Sequence, residues 1–479
     1  MKQEEEIILL RRENAELRKE VESLRAEILV LKGVIEELRG KMNKDSKNSS
    51  KPPSTDIRRT KSLRISSGKP RGGQHGHAGS TLSMSRTPDK IVRHRVTMCK
   101  GCGRDISIFQ THRYDRRQVY DIPPLRMCVT EHQAEKKRCI HCQTENIADF
   151  PEAVSQPVGY GNHIKQLGVY LTQYQLLPYG RSAELIEDLT GHQISTGSLV
   201  NFTEECSGQL PDFIKALKEH LKESKVVHSD ETGFRYEGKR QWLHVATTKD
   251  STFYMAHEKR GTEAMDAMGI LQDYRGVNVH DYWKSYLAYG CKHALCNAHH
   301  LRDLTFCYEQ EKSSWAGKMI KLLLEMKSKV EEAKELHQTC LKTADYSSLS
   351  EKYEGLIKEG YSCHPIAKKP PGKRGRVKKT KTQNLLIRFD EHQEDILRFM
   401  NDFKVPFDNN LAERAIRMMR LKQKISGCFR SKQGAETFAT IRSYIDTLRK
   451  NGVDIMEALA LAINGKPYMT SPSSYPQLE

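Results

Sequence analysis

No apolar run in this chain of 479 residues approaches the roughly 20 residues that a membrane-spanning helix needs. Its first residues, Met1-Lys-Gln-Glu-Glu-Glu6, are acidic, where a secretory leader is basic and then apolar. A disulfide framework is also missing. Of twelve cysteines, four form two Cys-x-x-Cys pairs and the rest are scattered, which fits a reducing compartment. Acids are in deficit: 61 Asp and Glu face 78 Lys and Arg, for a net charge of +17 and a pI of about 9.2. Such an excess favours a polyanionic partner. The length suggests about three domains with ample core.

The first segment, 1–40, reads as a coiled coil. Leu10, Leu17, Leu24, Leu31 and Leu38 recur every seven residues at position d, and Ile7, Asn14, Val21, Ile28 and Ile35 fill position a. β-branched residues at a with Leu at d favour a parallel pair of strands, and a buried Asn14 would fix the register. Glu6, Glu13, Glu20 and Glu27 at g face Arg11, Arg18, Arg25 and Lys32 at the following e positions. Across a parallel dimer each of these pairs is opposite in charge. A homodimer through residues 7–38 is therefore expected, rather than a helix packed within its own chain.

Residues 41–95 hold 14 Lys and Arg against 3 Asp and Glu, with abundant Ser, Pro and Gly. They predict a flexible basic linker that can touch phosphates without reading sequence. Within 96–150, Cys99-Lys-Gly-Cys102 and Cys139-Ile-His-Cys142 are separated by 36 residues. Each knuckle brings two thiolates to one Zn²⁺, and two knuckles complete a tetrahedron. With strands expected at 117–122 and 127–133, this predicts a zinc ribbon. A redox role is the weaker reading, because no thioredoxin-like βαβ pattern surrounds either pair.

Segment 151–222 is expected to be helical. Residues 183–189 and 195–202 flank Thr190-Gly-His-Gln-Ile194 as a helix-turn-helix would, although the second helix is mostly uncharged and the unit also serves for packing.

The chemistry is expected in 223–440. Val226 and Val227 lead into Asp230, a second β-like run ends at Asp281, and Glu413 opens a helix from about 409 to 424 with Asp408 as its cap. Any one of these acids alone reads as a turn or cap residue. Together, two strand-end Asp and a helical Glu are what a site for two divalent metals requires: hard oxygen ligands holding Mg²⁺ (or Mn²⁺) with positions left open. Strands at 241–247 and 252–257, a helix at 261–271 and the strand before Asp281 give the order β-β-β-α-β of an RNase H-like core. The 132 residues from Asp281 to Glu413 predict an all-helical insertion over 309–385. It contains Lys373, Arg374 and Arg376 in a run of eight Lys or Arg with no acid, which suits DNA-backbone contact. Arg414, Arg417 and Arg420 follow Glu413 at three-residue spacing and are placed for phosphates. Cys296 and His299 could be half a metal site, but no second half is near in sequence, so they are read as supporting residues. Residues 441–479 give a C-terminal helix and tail.

His228-Ser-Asp-Glu-Thr-Gly233, Trp242-Leu-His-Val-Ala246, His280-Asp-Tyr-Trp-Lys-Ser-Tyr286, Leu295-Cys-Asn-Ala-His-His-Leu-Arg302, Asn409-Asn-Leu-Ala-Glu-Arg-Ala-Ile-Arg417 and Ser426-Gly-Cys-Phe-Arg430 resemble, in order, blocks of the insertion-sequence-66 family of DDE transposases. The resemblance implies Mg²⁺-dependent DNA strand transfer with Asp230, Asp281 and Glu413 as the triad. It also implies a zinc module at Cys99–Cys142, and terminal inverted repeats and target DNA as partners. Accessory proteins of the same element are left open. The expected place of action is the cytoplasm, on the nucleoid. Two rivals stand beside this reading: an RNase H-like nuclease or resolvase, and a transposase-derived DNA-binding protein without catalysis.

Overall fold

The computed structural model describes residues 2–42, 82–366 and 379–469. The greater part of the predicted basic linker, and Lys373, Arg374 and Arg376, lie outside them. Among the described residues the architecture is mixed α/β, with fourteen α-helices and a five-stranded mixed sheet. Among the described residues no helix is long and apolar enough to cross a membrane.

Helix α1 runs unbroken from Lys2 to Met42. Leu17, Val21, Leu24, Ile28, Leu31, Ile35 and Leu38 all stand exposed along it, so this part of its a/d stripe packs against nothing among the described residues.

In the cysteine module, β1 (Lys136–Arg138) pairs antiparallel with β2 (Glu145–Ile147) around the second knuckle. The strands expected at 117–122 and 127–133 do not form. Val119, Ile122 and Val129 have β-forming side chains, but no apolar layer faces them and they remain exposed. Strand propensity without a surface to pack on does not make a strand.

Helices α2 (Asn162–Val169), α3 (Tyr179–Thr190), α4 (Thr196–Gly208) and α5 (Pro211–Glu223) precede the sheet, with a π-helical turn at Tyr170–Tyr174. Gly191 ends α3 in the left-handed conformation, and Ser195 caps α4 by accepting the Ser198 N–H. The predicted helix–turn–helix outline is thus present. Its second helix buries Leu199, Phe202 and Cys206, and its exposed side carries Asn201, Glu204 and Glu205.

The sheet comprises β3 (Val226–Tyr236), β4 (Lys239–Thr247), β5 (Thr252–His257), β6 (Val277–His280) and β7 (Lys292–Leu295), in the order β5-β4-β3-β6-β7. β3 to β5 are antiparallel, whereas β6 and β7 run parallel to β3. The β3–β4 hairpin turns on Glu237 and Gly238, both at positive φ, as a two-residue turn requires. Helix α6 (Thr262–Met268) links β5 towards β6.

After β7, α7 (Asn297–Gln310), α8 (Ser314–Glu335), α9 (Thr343–Cys363), α10 (Lys381–Glu391) and α11 (Gln393–Asn401) share a separate core around Trp315, Leu323, Tyr353 and Phe389. The helical layer is longer at both ends than the expected 309–385, because α7 and α11 supply part of that core.

The chain then returns to the sheet with α12 (Asn410–Ser426), α13 (Lys432–Lys450) and α14 (Ile455–Ile463). A boundary at 440 falls inside α13. Edge strand β5 would present unpaired N–H groups, and α13 covers it: Thr252 N–H donates to Thr447 Oγ1 (3.0 Å) and Tyr254 N–H to Ser443 Oγ (2.8 Å). Helices α2 to α5, α13 and α14 pack with one face of the sheet in a single core.

Candidate active site

Strand β3 is shared between two neighbours, and where it leaves one of them it carries Asp230. It pairs with β6 only from Val226 to His228, but with β4 from His228 to Tyr236. Asp230 is therefore not at a strand end, as the sequence suggested, but at the fork where β6 departs. Two residues beyond the matched pair His228 and Val279 stand Asp230 and Asp281, at equal levels on parallel strands. Side chains alternate along strands, so equal levels put both carboxylates on one face.

Helix α12 brings the third acid. Its inner stripe, Ala412, Ile416 and Met419, packs on Phe234, Leu243 and Val245 of β3 and β4. Glu413 lies in its first turn. The cap is Asn409 rather than Asp408, and it does not cap with its side chain, which is engaged elsewhere. Asn409 Nδ2 donates to Ser229 O (2.9 Å), its Oδ1 lies 2.9 Å from His228 Nδ1, and its N–H points at Cys296 Sγ (3.2 Å). Because the amide nitrogen is committed to Ser229, Oδ1 must accept, and His228 must carry its proton on Nδ1. Burial holds His228 neutral, with its pKa down to about 4. One buried residue thus fixes the start of α12, by its side chain to β3 and by its backbone N–H to the N-terminus of α7. His228 and Asn409 lie within the quoted sequence blocks, but their spacing gives no sign of this contact.

The acids crowd one another. Burial, reinforced by the charges of Glu231, Asp281 and Glu413, pushes Asp230 well above the usual carboxylate range. Burial and the Glu231 charge push Asp281 up to about 6, against the Trp283 N–H, Arg260 and Arg388. Glu231, which sequence reasoning passed over, has a fully enclosed side chain. It accepts from Arg260 Nε (2.7 Å) and Tyr286 Oη (2.6 Å). Arg260 is in turn stacked on Trp283 (3.9 Å to the ring centre) and Trp242 (4.9 Å), and Arg240 covers Trp242 (4.5 Å). Burial and neighbouring carboxylates both disfavour the charged forms of Asp230 and Asp281, and a bound cation would offset both. The hard oxygen donors present are those a divalent cation takes.

Beside the acids runs a groove of about 980 Å³ between the β3–β4 hairpin and α12. Arg235, Arg240, Arg417, Arg420 and Lys424 line it. Arg417 and Arg420 were expected near phosphates, whereas Arg235 and Arg240 were not. Arg414, grouped with them in sequence, instead turns its Nε to Asn410 O (3.3 Å) and is not among the lining residues. A β-carbon at Gly233 would stand 3.2 Å from Arg240 Nε, so glycine there lets the guanidinium lie across β3. Gly427, at φ 72° and ψ −150°, adopts a backbone conformation nearly confined to glycine. It returns the chain so that Phe429 N–H reaches Arg235 O (3.2 Å) and closes the groove's end.

The two cysteine knuckles share one local geometry. Gly103 N–H bonds Cys99 O and Gln143 N–H bonds Cys139 O, both at 2.9 Å, and Gly103 and Gln143 are both at positive φ. Backbone N–H groups of Cys102 and Gly101 hold the Cys99 thiol below its usual range, and the Thr144 hydroxyl and amide do the same for Cys142. Each pair is close within itself. Among the described residues, the group of three or more potential ligands gathered within 4.8 Å is a different one: Cys296, His299 and Glu413.

The model of a family of unknown function, DUF6444, matches residues 7–83, over the long helix and the segment after it. An uncharacterized protein, y4qI, of Sinorhizobium fredii is 33% identical over 82 residues, which are 17% of this chain and 15% of that relative. The chain thus spans a small part of the relative's length. The model of the transposase IS66 family matches residues 162–437, from the first helix before the sheet to the start of α13, and includes every acid and arginine of the site described. That match takes in more than half of the sequence, and the chain belongs to the IS66 family of transposases.

Proposed function

We propose that this transposase cuts and joins DNA ends by phosphoryl transfer at Asp230, Asp281 and Glu413, on an RNase H-like core. The observation that carries the reading is that Asp230 and Asp281 stand at equal levels where β6 leaves β3, both raised by burial and by neighbouring carboxylates, with Glu413 among those acting on Asp230. The three acids would hold two Mg²⁺ or Mn²⁺ ions. When bound, the ions would activate water or a DNA 3′-hydroxyl as nucleophile and stabilise the leaving oxygen.

The protein's part is placement. Asn409 sets the start of α12, so Glu413 is held against β3 while the helix's outer side faces the groove. Arg235, Arg240, Arg417 and Arg420 bind the phosphates that lead into the site. Glu231, clamped by Arg260 and Tyr286, keeps Trp283 and Trp242 stacked beside Asp281. No covalent protein intermediate is needed. We place DNA in this groove rather than against α4, because α4 carries no Lys or Arg and exposes Glu204.

The remaining modules fit an enzyme that must hold two ends. The a/d stripe of α1 would bury itself against a second copy, giving a parallel dimer through residues 7–38. The four cysteines Cys99, Cys102, Cys139 and Cys142 would close on one Zn²⁺ as a ribbon, and Lys373, Arg374 and Arg376 would add contacts to the DNA backbone. Action on the nucleoid, in the cytoplasm, follows from that substrate. Purified protein incubated with linear DNA carrying the ends that flank its own gene tests the reading. Joined products support a transposase, cleavage without joining points to a nuclease, and binding alone to a DNA-binding descendant.

A further inference from the structure

The Cys296–His299 pair, half a metal site by spacing, meets its missing half in Glu413. Cys296 Sγ, an imidazole nitrogen of His299 and a carboxylate oxygen of Glu413 lie within 4.8 Å of one another. His299 Nδ1 is 3.6 Å from Glu413 Oε1, too long for a hydrogen bond, and both atoms are enclosed without any hydrogen-bond partner. They do not form an ion pair either, since burial holds His299 neutral. Two unsatisfied buried acceptors or donors aimed at one point are costly unless something sits between them.

The sulfur stands beside the same two atoms. Cys296 is the N-cap of the fourteen-residue α7, and the Asn409 N–H points at its Sγ from 3.2 Å. Both act towards a thiolate, but burial outweighs them and pushes the thiol up to about 12, so the proton leaves only when a cation takes its place. A tetrahedral zinc ion with bonds of about 2.0–2.3 Å spaces its ligand atoms about 3.3–3.8 Å apart; the 3.6 Å between His299 and Glu413 falls in that range, and the sulfur lies within 4.8 Å of both. Thiolate and imidazole do not suit Mg²⁺, which takes oxygen.

We propose that Cys296, His299 and Glu413 form a second cation site, selective for a soft divalent ion such as Zn²⁺, whose occupation withdraws Glu413 from the Mg²⁺ site. Binding displaces the thiol proton to solvent. It also displaces the Arg302 guanidinium, whose Nη2 stands 3.6 Å from the same Glu413 oxygen and serves as counter-charge while the site is free of metal. The withdrawal of Glu413 rests on its proposed place in the Mg²⁺ site, whereas the binding of the soft ion does not.

Full-length protein, stripped with chelator and titrated with Co²⁺, tests the binding without any need for activity. Wild type should take up one equivalent more than Cys296→Ser, with thiolate-to-cobalt charge-transfer absorbance, beyond that of the four-cysteine site, that Cys296→Ser loses and Cys99→Ser keeps. Arg302→Gln should take up the extra equivalent more tightly. Equal uptake and equal absorbance in wild type and Cys296→Ser would overturn the site, and His299→Gln gives the same reading should Cys296→Ser fail to fold. In Mg²⁺-dependent cleavage, Zn²⁺ should suppress wild type to background and spare Cys296→Ser relative to its own zinc-free rate. Zn²⁺ that binds at Cys296 without slowing wild type would overturn the competition for Glu413.

Discussion

His228 and Asn409 lie 181 residues apart and share a buried hydrogen bond of 2.9 Å, through which the central strand holds the helix that carries Glu413. Replacing Asn409 by Ala would leave the His228 N–H and the Ser229 carbonyl unpaired in the interior. Each such group costs about 1–3 kcal/mol. Asn409→Ala should lower stability by roughly 2–6 kcal/mol. It should reduce cleavage further than end binding, because the groove arginines remain. Urea titration with parallel binding and cleavage assays checks this. Cleavage at the wild-type level in a destabilised Asn409→Ala protein would remove Asn409 from the positioning of Glu413.

The groove arginines should act through phosphate. Arg235→Ala, Arg240→Ala, Arg417→Ala and Arg420→Ala should each weaken binding of any DNA sequence to a similar degree. Each lost phosphate contact should flatten the dependence of log affinity on log salt by about 0.9. Arg414→Ala, whose side chain folds back on its own helix, should leave that slope unchanged. Fluorescence anisotropy across a salt series reads both. An unaltered slope in the Arg417→Ala, Arg420→Ala double variant would place DNA elsewhere.

Much of this was legible in the chain. The Val226-Val227 run, the alternation at 241–247 and 252–257 and the turn between them announce the strands, because strand side chains alternate with period two. The site itself was legible as types and order of acids, not as geometry. The fork that places Asp230 depends on where β6 stops pairing, and pairing extent has no local signal. Arg235 and Arg240 enter the groove because a tight hairpin folds them beside α12. The contact between His228 and Asn409, like that of Glu231 with Arg260, joins polar residues whose individual patterns resemble ordinary surface. The strands expected at 117–133 failed for the opposite reason: their local pattern was adequate, but no layer packs against it.

Acid should destabilise the metal-free protein. Burial lowers His228 and His244 to about 4, His280 and His299 to about 3, and His300 further still. In the unfolded chain each takes a proton near pH 6.5. Between those values the unfolded state binds more protons, so this stability is present above pH 6.5 and is lost as pH falls through the window. Asp230 and Asp281 act oppositely, since their folded pKa values are raised, but five groups outweigh two. From pH 6 to pH 5 the loss should be on the order of 2–4 kcal/mol, from a net uptake of about three protons. Urea midpoints at pH 7, 6 and 5 measure it, and a midpoint that rises on acidification would contradict it.

The stripe on α1 should hold two chains together. A peptide of residues 1–42 should sediment as a dimer, and Asn14→Ile should raise its melting temperature while loosening its preference for two strands. Protein lacking residues 1–40 should still bind one end but pair two ends poorly. A monomeric peptide at high concentration, or normal pairing by the truncated protein, would place the dimer contact elsewhere.

The most direct test compares Mg²⁺-dependent cleavage of linear end-containing DNA by wild type with that by Asp230→Asn, Asp281→Asn and Glu413→Gln, each matched for end binding. These substitutions keep size and remove charge. If the crowded carboxylates hold the catalytic ions, cleavage by all three variants falls to background while end binding stays near the wild-type level. Cleavage that survives the loss of Asp281 or Glu413 would contradict the assignment.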